Sequence, residues 1–263
     1  MKKILLCSLF LFTSYCAATI ENQLELEDYL LINKLNTEDE TDTRGPEAPI
    51  PDIVCISLGA RCSAALNFRR NQLSMAYYPF DFIATPLTGL HILLKTKFKD
   101  FLTKSALKIA RDNNAWLDNN TGPDQPRKVS SQKMVVAKNS ITGCEFIHDF
   151  ATKRLEEYKA VAAKYQRRIN RFYKTINHAK YIYFFRTHLN KKEATALHSL
   201  LKKLFSKTRF VLVAPTDPEH MQQPWNLPGV KEFLMYPDTP GSHNKVHGNT
   251  ASWDHIFHQL KLI

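Results

Sequence analysis

Cys62 closes the run Asp52-Ile-Val-Cys-Ile-Ser-Leu-Gly-Ala-Arg-Cys62, where an apolar, β-branched stretch ends at Ser57-Leu58-Gly59 and a helix is due to begin. A strand, a glycine turn and a helix set such a thiol near backbone N–H groups that lack intrahelical partners, at the positive end of the helix dipole. Arg61 adds a cation. Both effects favour the thiolate, which is the nucleophilic form. The competing reading is a structural cysteine, since unpaired cysteines are among the most frequently buried residues.

A nucleophilic thiolate needs an imidazole within hydrogen-bond reach and a group to orient it. His148 offers the imidazole, and Asp149 follows it directly. Neighbouring strand residues point to opposite faces, so Asp149 orients His148 only where the backbone bends. Its other role is to cap the helix that follows. Asp81 lies in Tyr78-Pro-Phe-Asp-Phe82, and a carboxylate among large apolar groups must pair. It could orient a histidine, or hold Arg186 or Arg61 in a structural ion pair. Arg186 and His188 follow the apolar run 181–185, and His188 is a rival base. In open α/β sheets, ligands bind outside the carboxyl ends of strands. Ser57, Gly59, Arg61, Arg186 and His188 are therefore the substrate-binding candidates.

Other chemistries are poorly served. His243 and His247 stand four apart without acidic or cysteine ligands at zinc-like spacing, so no metal is assigned. No phosphate-cradling Gly-x-x-x-x-Gly-Lys loop and no Gly-x-Gly-x-x-Gly fingerprint occurs, so no cofactor is assigned either. Arg167, Arg168 and Arg171 read as a solvated helix face. The aromatics do not interleave with the basic residues as a single-strand nucleic-acid platform requires, which speaks against a specific nucleic-acid partner.

The elements that must position these groups can be read from hydrophobic period. A strand is predicted over 53–58 and a helix over 62–72. An aromatic extended segment follows at 77–83, then an amphipathic helix over 87–102. Residues 111–133 are polar and rich in Asn, Gly and Pro, which predicts a long loop. A small hairpin is predicted from 134–137 and 145–147, and a long helix over 152–176. Strands at 181–185, 210–213 and 230–235 alternate with helices at 193–205 and 252–260. The alternation predicts an α/β fold, one three-layer domain with a mainly parallel sheet flanked by helices.

The bulk properties frame that domain. The chain has 263 residues, 44% of them hydrophobic, enough for one sizeable core. Lys2, Lys3, the apolar run 4–15 and the small residues around Cys16-Ala17-Ala18 read as a secretory signal cut near Ala18. A lipoprotein cut before Cys16 fits less well, because Tyr15 stands where a small residue is wanted. No later apolar run is long enough to span a membrane. Residues 20–52 hold ten acidic residues against Lys34 and Arg44, and 41–51 are rich in Pro, so 19–51 read as a flexible acidic leader. Residues 53–263 carry 32 Lys+Arg against 15 Asp+Glu, which suits anionic surfaces or substrates as well as an ordinary solvated surface. Cleavage would leave Cys55, Cys62 and Cys144, an odd number, so at least one is unpaired. A Cys55–Cys144 disulfide and three reduced thiols both stay open. Nothing in the sequence decides an oligomeric state.

The segments Ile56-Ser-Leu-Gly-Ala-Arg-Cys62-Ser-Ala-Ala65, Tyr78-Pro-Phe-Asp-Phe82, Phe146-Ile-His-Asp-Phe150, Tyr165-Gln-Arg-Arg-Ile-Asn-Arg-Phe172 and Tyr183-Phe-Phe-Arg186 occur in this order. Together they resemble the bacterial DUF1796 family, described as a putative papain-like cysteine peptidase. The resemblance covers residues 53 to near the C-terminus. It implies Cys62 as nucleophile and His148 as base, with Asp149 or Asp81 assisting. The Cys-then-His order suits a papain-like site, whereas the later strand–helix alternation suits a doubly wound sheet. The secretion signal and acidic leader depart from the family and suggest action outside the cytoplasm. Two functions follow as expectations. One is an exported thiol hydrolase or acyltransferase acting on a peptide or acyl substrate, with backbone N–H groups around 61–63 as oxyanion hole. The other is a glycan- or phosphate-binding α/β domain, a transferase or without catalysis, with Arg61 and Arg186 on the anion and Cys62 structural.

Overall fold

A computed structural model describes residues 50–74, 76–113, 134–237 and 248–263 of the chain. The predicted signal, nearly all of the acidic leader, most of the predicted loop at 111–133, and His243 and His247 lie outside the described residues.

Strands and helices follow the order β1 (Ile53–Ser57), α1 (Ser63–Arg70), β2 (Ile83–Ala84), α2 (Leu87–Thr96), β3 (Leu107–Asn113), β4 (Met134–Asn139), β5 (Glu145–Phe150), α3 (Tyr158–His178), β6 (Tyr181–Phe185), α4 (Lys191–Leu204), β7 (Phe210–Thr216), β8 (Val230–Leu234) and α5 (Thr250–Gln259). They build two four-stranded sheets, one ordered β1-β6-β7-β8 and the other β2-β5-β4-β3. The first is parallel throughout, the second antiparallel throughout. The expectation of one mainly parallel sheet is thus corrected: α/β holds, but half of the described strands belong to a separate antiparallel sheet.

Period-two alternation divides the parallel sheet into two apolar faces. Val54, Ile56, Ile182, Phe184, Leu212 and Ala214 join the larger core, which also takes in Phe101, Phe146, Tyr165 and Phe172. Cys55, Phe185 and Val213 face the other way, into a core with Phe68 of α1 and Trp253, Ile256 and Phe257 of α5. Arg70 at the end of α1 pairs with Asp254 of α5, tying those two helices together. At the opposite end of the sequence pattern, α2 stops at Thr96 although Phe98, Phe101 and Leu102 continue its apolar spacing. Lys97 and Phe98 turn left-handed (φ +53° and +62°), and the Phe98 N–H donates back to the Leu93 carbonyl at 2.8 Å. The two phenylalanines then enter the larger core from a turn.

Among the described residues, no helix is long and apolar enough to cross a membrane. Cys55 and Cys144 are buried in separate cores, and Cys55, Cys62 and Cys144 form no disulfide among the described residues.

Candidate functional site

The turn from β1 into α1 is held by a close approach of backbone and side chain. Gly59 has φ +79°, and a Cβ there would meet Thr85 Oγ1 at 2.9 Å and Arg186 Nη1 at 3.4 Å. The Gly59 N–H donates to Ser57 Oγ at 3.2 Å. Ala60 is also left-handed, at φ +77°, a conformation that costs on the order of 1 kcal/mol or more in a residue with a side chain. The chain then enters α1 with Cys62 as its N-cap residue.

Arg186 fastens this turn to the second sheet. It is buried, and its guanidinium donates to the Leu58 carbonyl at 2.9 Å and to the Thr85 carbonyl at 2.7 Å. Burial lowers its pKa to about 10, with nearby Cys144 and Glu193 opposing the shift, so it stays charged at neutral pH. Ser57, Gly59 and Arg186 therefore shape the loop from inside, whereas Arg61 is exposed beside it.

The three thiols differ in setting. Burial pushes the Cys55 thiol up to about 12 and raises that of Cys144. Both are fully enclosed, which suits inert structural cysteines. Cys62 is half-buried and packs against a small cluster of Ala65, Leu66, Tyr77 and Phe82.

That cluster leads into buried charge. The Arg69 guanidinium lies 3.4 Å from the centre of the Tyr77 ring, and that of Arg168 lies 5.1 Å from it. Arg168 also approaches the rings of Phe82 (5.8 Å) and Tyr165 (5.3 Å). Arg168 is fully enclosed, which corrects its reading as part of a solvated face. It falls in the same helical stripe as Val161, Tyr165, Phe172 and Ile176, so its spacing carried the signal that its charge concealed.

Both candidate carboxylates sit in this region. Asp81 accepts from the Tyr78 N–H at 2.8 Å and lies 3.8 Å from Arg69, so its ion-pair partner is neither Arg186 nor Arg61. Asp149 accepts from Lys164 Nζ at 2.6 Å and from the Tyr165 hydroxyl at 3.1 Å. It does not cap the long helix, whose N-cap residue is Glu157. Burial pushes the Asp149 carboxyl up, but Lys164, Arg168 and His148 outweigh it and hold it below the usual 3.8. Burial beside the Asp149 charge raises the Tyr165 hydroxyl well above 10.

His148 is half-buried on β5, and its Nδ1 is enclosed with no hydrogen-bond partner among the described residues. Burial lowers its pKa below 6.5, Asp149 partly restores it, and Lys164 lowers it again. At neutral pH the ring is uncharged and can accept a proton. The β2–β5 register pairs Ile83 with Phe146, two residues before His148. Phe82, a member of the cluster against which Cys62 packs, directly precedes Ile83. Arg168 thus joins the cluster on which Cys62 packs to Tyr165, whose hydroxyl donates to Asp149.

His188 stands elsewhere, exposed after β6, with φ +58° and Nδ1 2.7 Å from Asp217 Oδ2. Sequence reading missed Arg69, Tyr77, Lys164 and Tyr165 as members of the site, although Tyr165 and Arg168 are one helical turn apart on one stripe.

The model of a family described as "Putative papain-like cysteine peptidase (DUF1796)" matches residues 53–214, more than half of the chain. No curated protein and no solved structure matches.

Proposed function

The chain belongs to the DUF1796 family, whose description is that of a papain-like cysteine peptidase, and on that premise we propose that it is a thiol peptidase with Cys62 as nucleophile and His148 as base. The observation that carries this reading is the setting of Cys62. It is half-buried, while both other described thiols are enclosed and desolvated, and it heads α1 against a cluster whose Tyr77 and Phe82 rings lie near Arg168.

In the proposed reaction, Cys62 Sγ attacks the carbonyl carbon of a peptide bond, and His148 holds the thiol proton. Negative charge gathers on the carbonyl oxygen, where first-turn N–H groups of α1 can donate. The imidazolium passes its proton to the leaving amine as the C–N bond breaks, leaving a thioester on Cys62. Water, deprotonated by His148, then hydrolyses the thioester and restores the thiol. Arg69 and Arg168 lie against Tyr77, a ring of the cluster on which Cys62 packs. Asp149 is a positioning residue: its field stabilises the imidazolium, while Lys164 and Tyr165 hold it in place. We further propose that the chain is exported, with the signal removed near Ala18.

The full chain, expressed in a secretion-competent bacterial host, tests both. Treated with an electrophilic peptide probe, the exported product should carry one probe per chain, on Cys62, and an intact mass beginning near residue 19. Labelling at Cys55 or Cys144, or none, would remove the catalytic assignment, and an uncut intracellular product would remove export.

A further inference from the structure

We propose that Asp217, Glu219 and His220 form a binding site for a divalent transition-metal ion of the zinc type, with His188 orienting Asp217. These three ligands lie just beyond the family match, which ends at residue 214, and the proposed thiol chemistry uses none of them. They come from one short turn. Asp217 follows β7 in extended conformation, Pro218 opens a single 3-10 turn, and the His220 N–H donates to the Asp217 carbonyl at 2.9 Å. One donor atom from each of Asp217, Glu219 and His220 falls within 4.8 Å of the others. His220 Nδ1 is 3.9 Å from Asp217 Oδ2, and its Nε2 is 3.8 Å from Glu219 Oε1.

A zinc ion bound at about 2.0–2.2 Å by nitrogen and oxygen in tetrahedral geometry separates its ligands by roughly 3.3–3.5 Å. The 3.9 Å and 3.8 Å separations start from different ring nitrogens, so one nitrogen comes to serve both carboxylates only once the His220 ring and the exposed Glu219 side chain rotate. The donor set of one imidazole and two carboxylates suits zinc and its first-row neighbours. Calcium, which takes six to eight oxygens, is a poor match. Three protein ligands leave a fourth position for water.

His188 contributes from the neighbouring strand end. Its Nδ1–H donates to Asp217 Oδ2 at 2.7 Å, the same oxygen that His220 Nδ1 approaches, and so holds the carboxylate at the turn where the ion would meet it. Ligating carboxylates are commonly held by such outer partners, whose removal weakens metal binding about 10- to 100-fold. The site lies at the carboxyl ends of β6 and β7, the edge at which open parallel sheets take ligands.

The test uses the full chain in metal-free buffer, with Zn2+ titrated calorimetrically and Co2+ as a spectroscopic probe. One equivalent should bind to the wild type and to Cys62→Ala, with the visible Co2+ bands of a low-coordinate site. Asp217→Asn and His220→Ala should each abolish the bands. His188→Ala should weaken binding about 10- to 100-fold. His188→Asn, which can still donate to Asp217, should recover much of that loss. Circular dichroism of the metal-free variants should match the wild type, because the altered residues lie at the surface. No bound metal would overturn the proposal. So would binding that survives Asp217→Asn and His220→Ala, or that disappears in Cys62→Ala or in a His243→Ala/His247→Ala variant.

Discussion

His148 and His188 occupy opposite kinds of environment. His148 is half-buried on the antiparallel sheet, with an enclosed, unpartnered Nδ1 and a pKa lowered mainly by burial. Arginine, lysine and tyrosine surround the carboxylate next to it. His188 is exposed at the end of a parallel strand and already hydrogen-bonded to Asp217, with Glu219 and His220 nearby. A histidine bonded to a carboxylate resembles an oriented base, yet here the oriented ring sits among metal-type ligands in water. The less conspicuous ring neighbours Asp149, whose hydrogen-bond partner Tyr165 shares Arg168 with Tyr77 of the cluster that receives Cys62. The role proposed for His148 therefore rests on an uncharged, half-buried ring beside a firmly held carboxylate, not on a ready-made hydrogen-bonded pair.

The largest effect that separates the two regions is on turnover. Against a mixture of quenched fluorescent peptides, Cys62→Ala should fall to background, and His148→Ala should lose about 10²- to 10⁴-fold in kcat/KM. His188→Ala should stay within a few-fold of wild type. The reverse order for the two histidines would exchange their roles.

A smaller effect concerns the clasp between the sheets. Arg186→Met would leave the Leu58 and Thr85 carbonyls without their donor, at about 1–3 kcal/mol each. Urea unfolding should show a loss of about 3 kcal/mol, with wild-type metal binding kept at Asp217. An unchanged midpoint would mean that the turn at Gly59 holds itself.

The smallest effect is on acid stability. The folded His148 pKa lies below 6.5, so the unfolded chain binds more protons as pH falls through 6.5, and stability declines there. Asp149 is held below 3.8, so its contribution persists until pH falls below that value. Between pH 7.5 and 5.5 the urea midpoint should therefore drop, and His148→Gln should flatten the drop. An equal slope in both proteins would assign the acid loss to other groups.

Legibility from the sequence followed the same division. Tyr181–Phe185 was readable to the residue, because a parallel strand buried on both faces is a continuous apolar run. β3, Leu-Lys-Ile-Ala-Arg-Asp-Asn, escaped notice because it is an edge strand with polar residues and a register shift between Ile109 and Arg111. β2 has two residues, too few for any period. At the site, the cysteine after the glycine turn and the His-Asp dipeptide were visible as residue types. Arg69 and Arg168 were not, since a buried guanidinium reads as surface until the rings it lies against are known.

The most direct test needs no substrate: the pH dependence of Cys62 alkylation by iodoacetamide in wild type, His148→Ala and His188→Ala. The expected result is labelling of the wild type well below the range of an ordinary thiol, whose pKa is about 8.5, a shift toward that range in His148→Ala, and no shift in His188→Ala. An ordinary profile in the wild type, unmoved by His148→Ala, would contradict the pairing of Cys62 with His148.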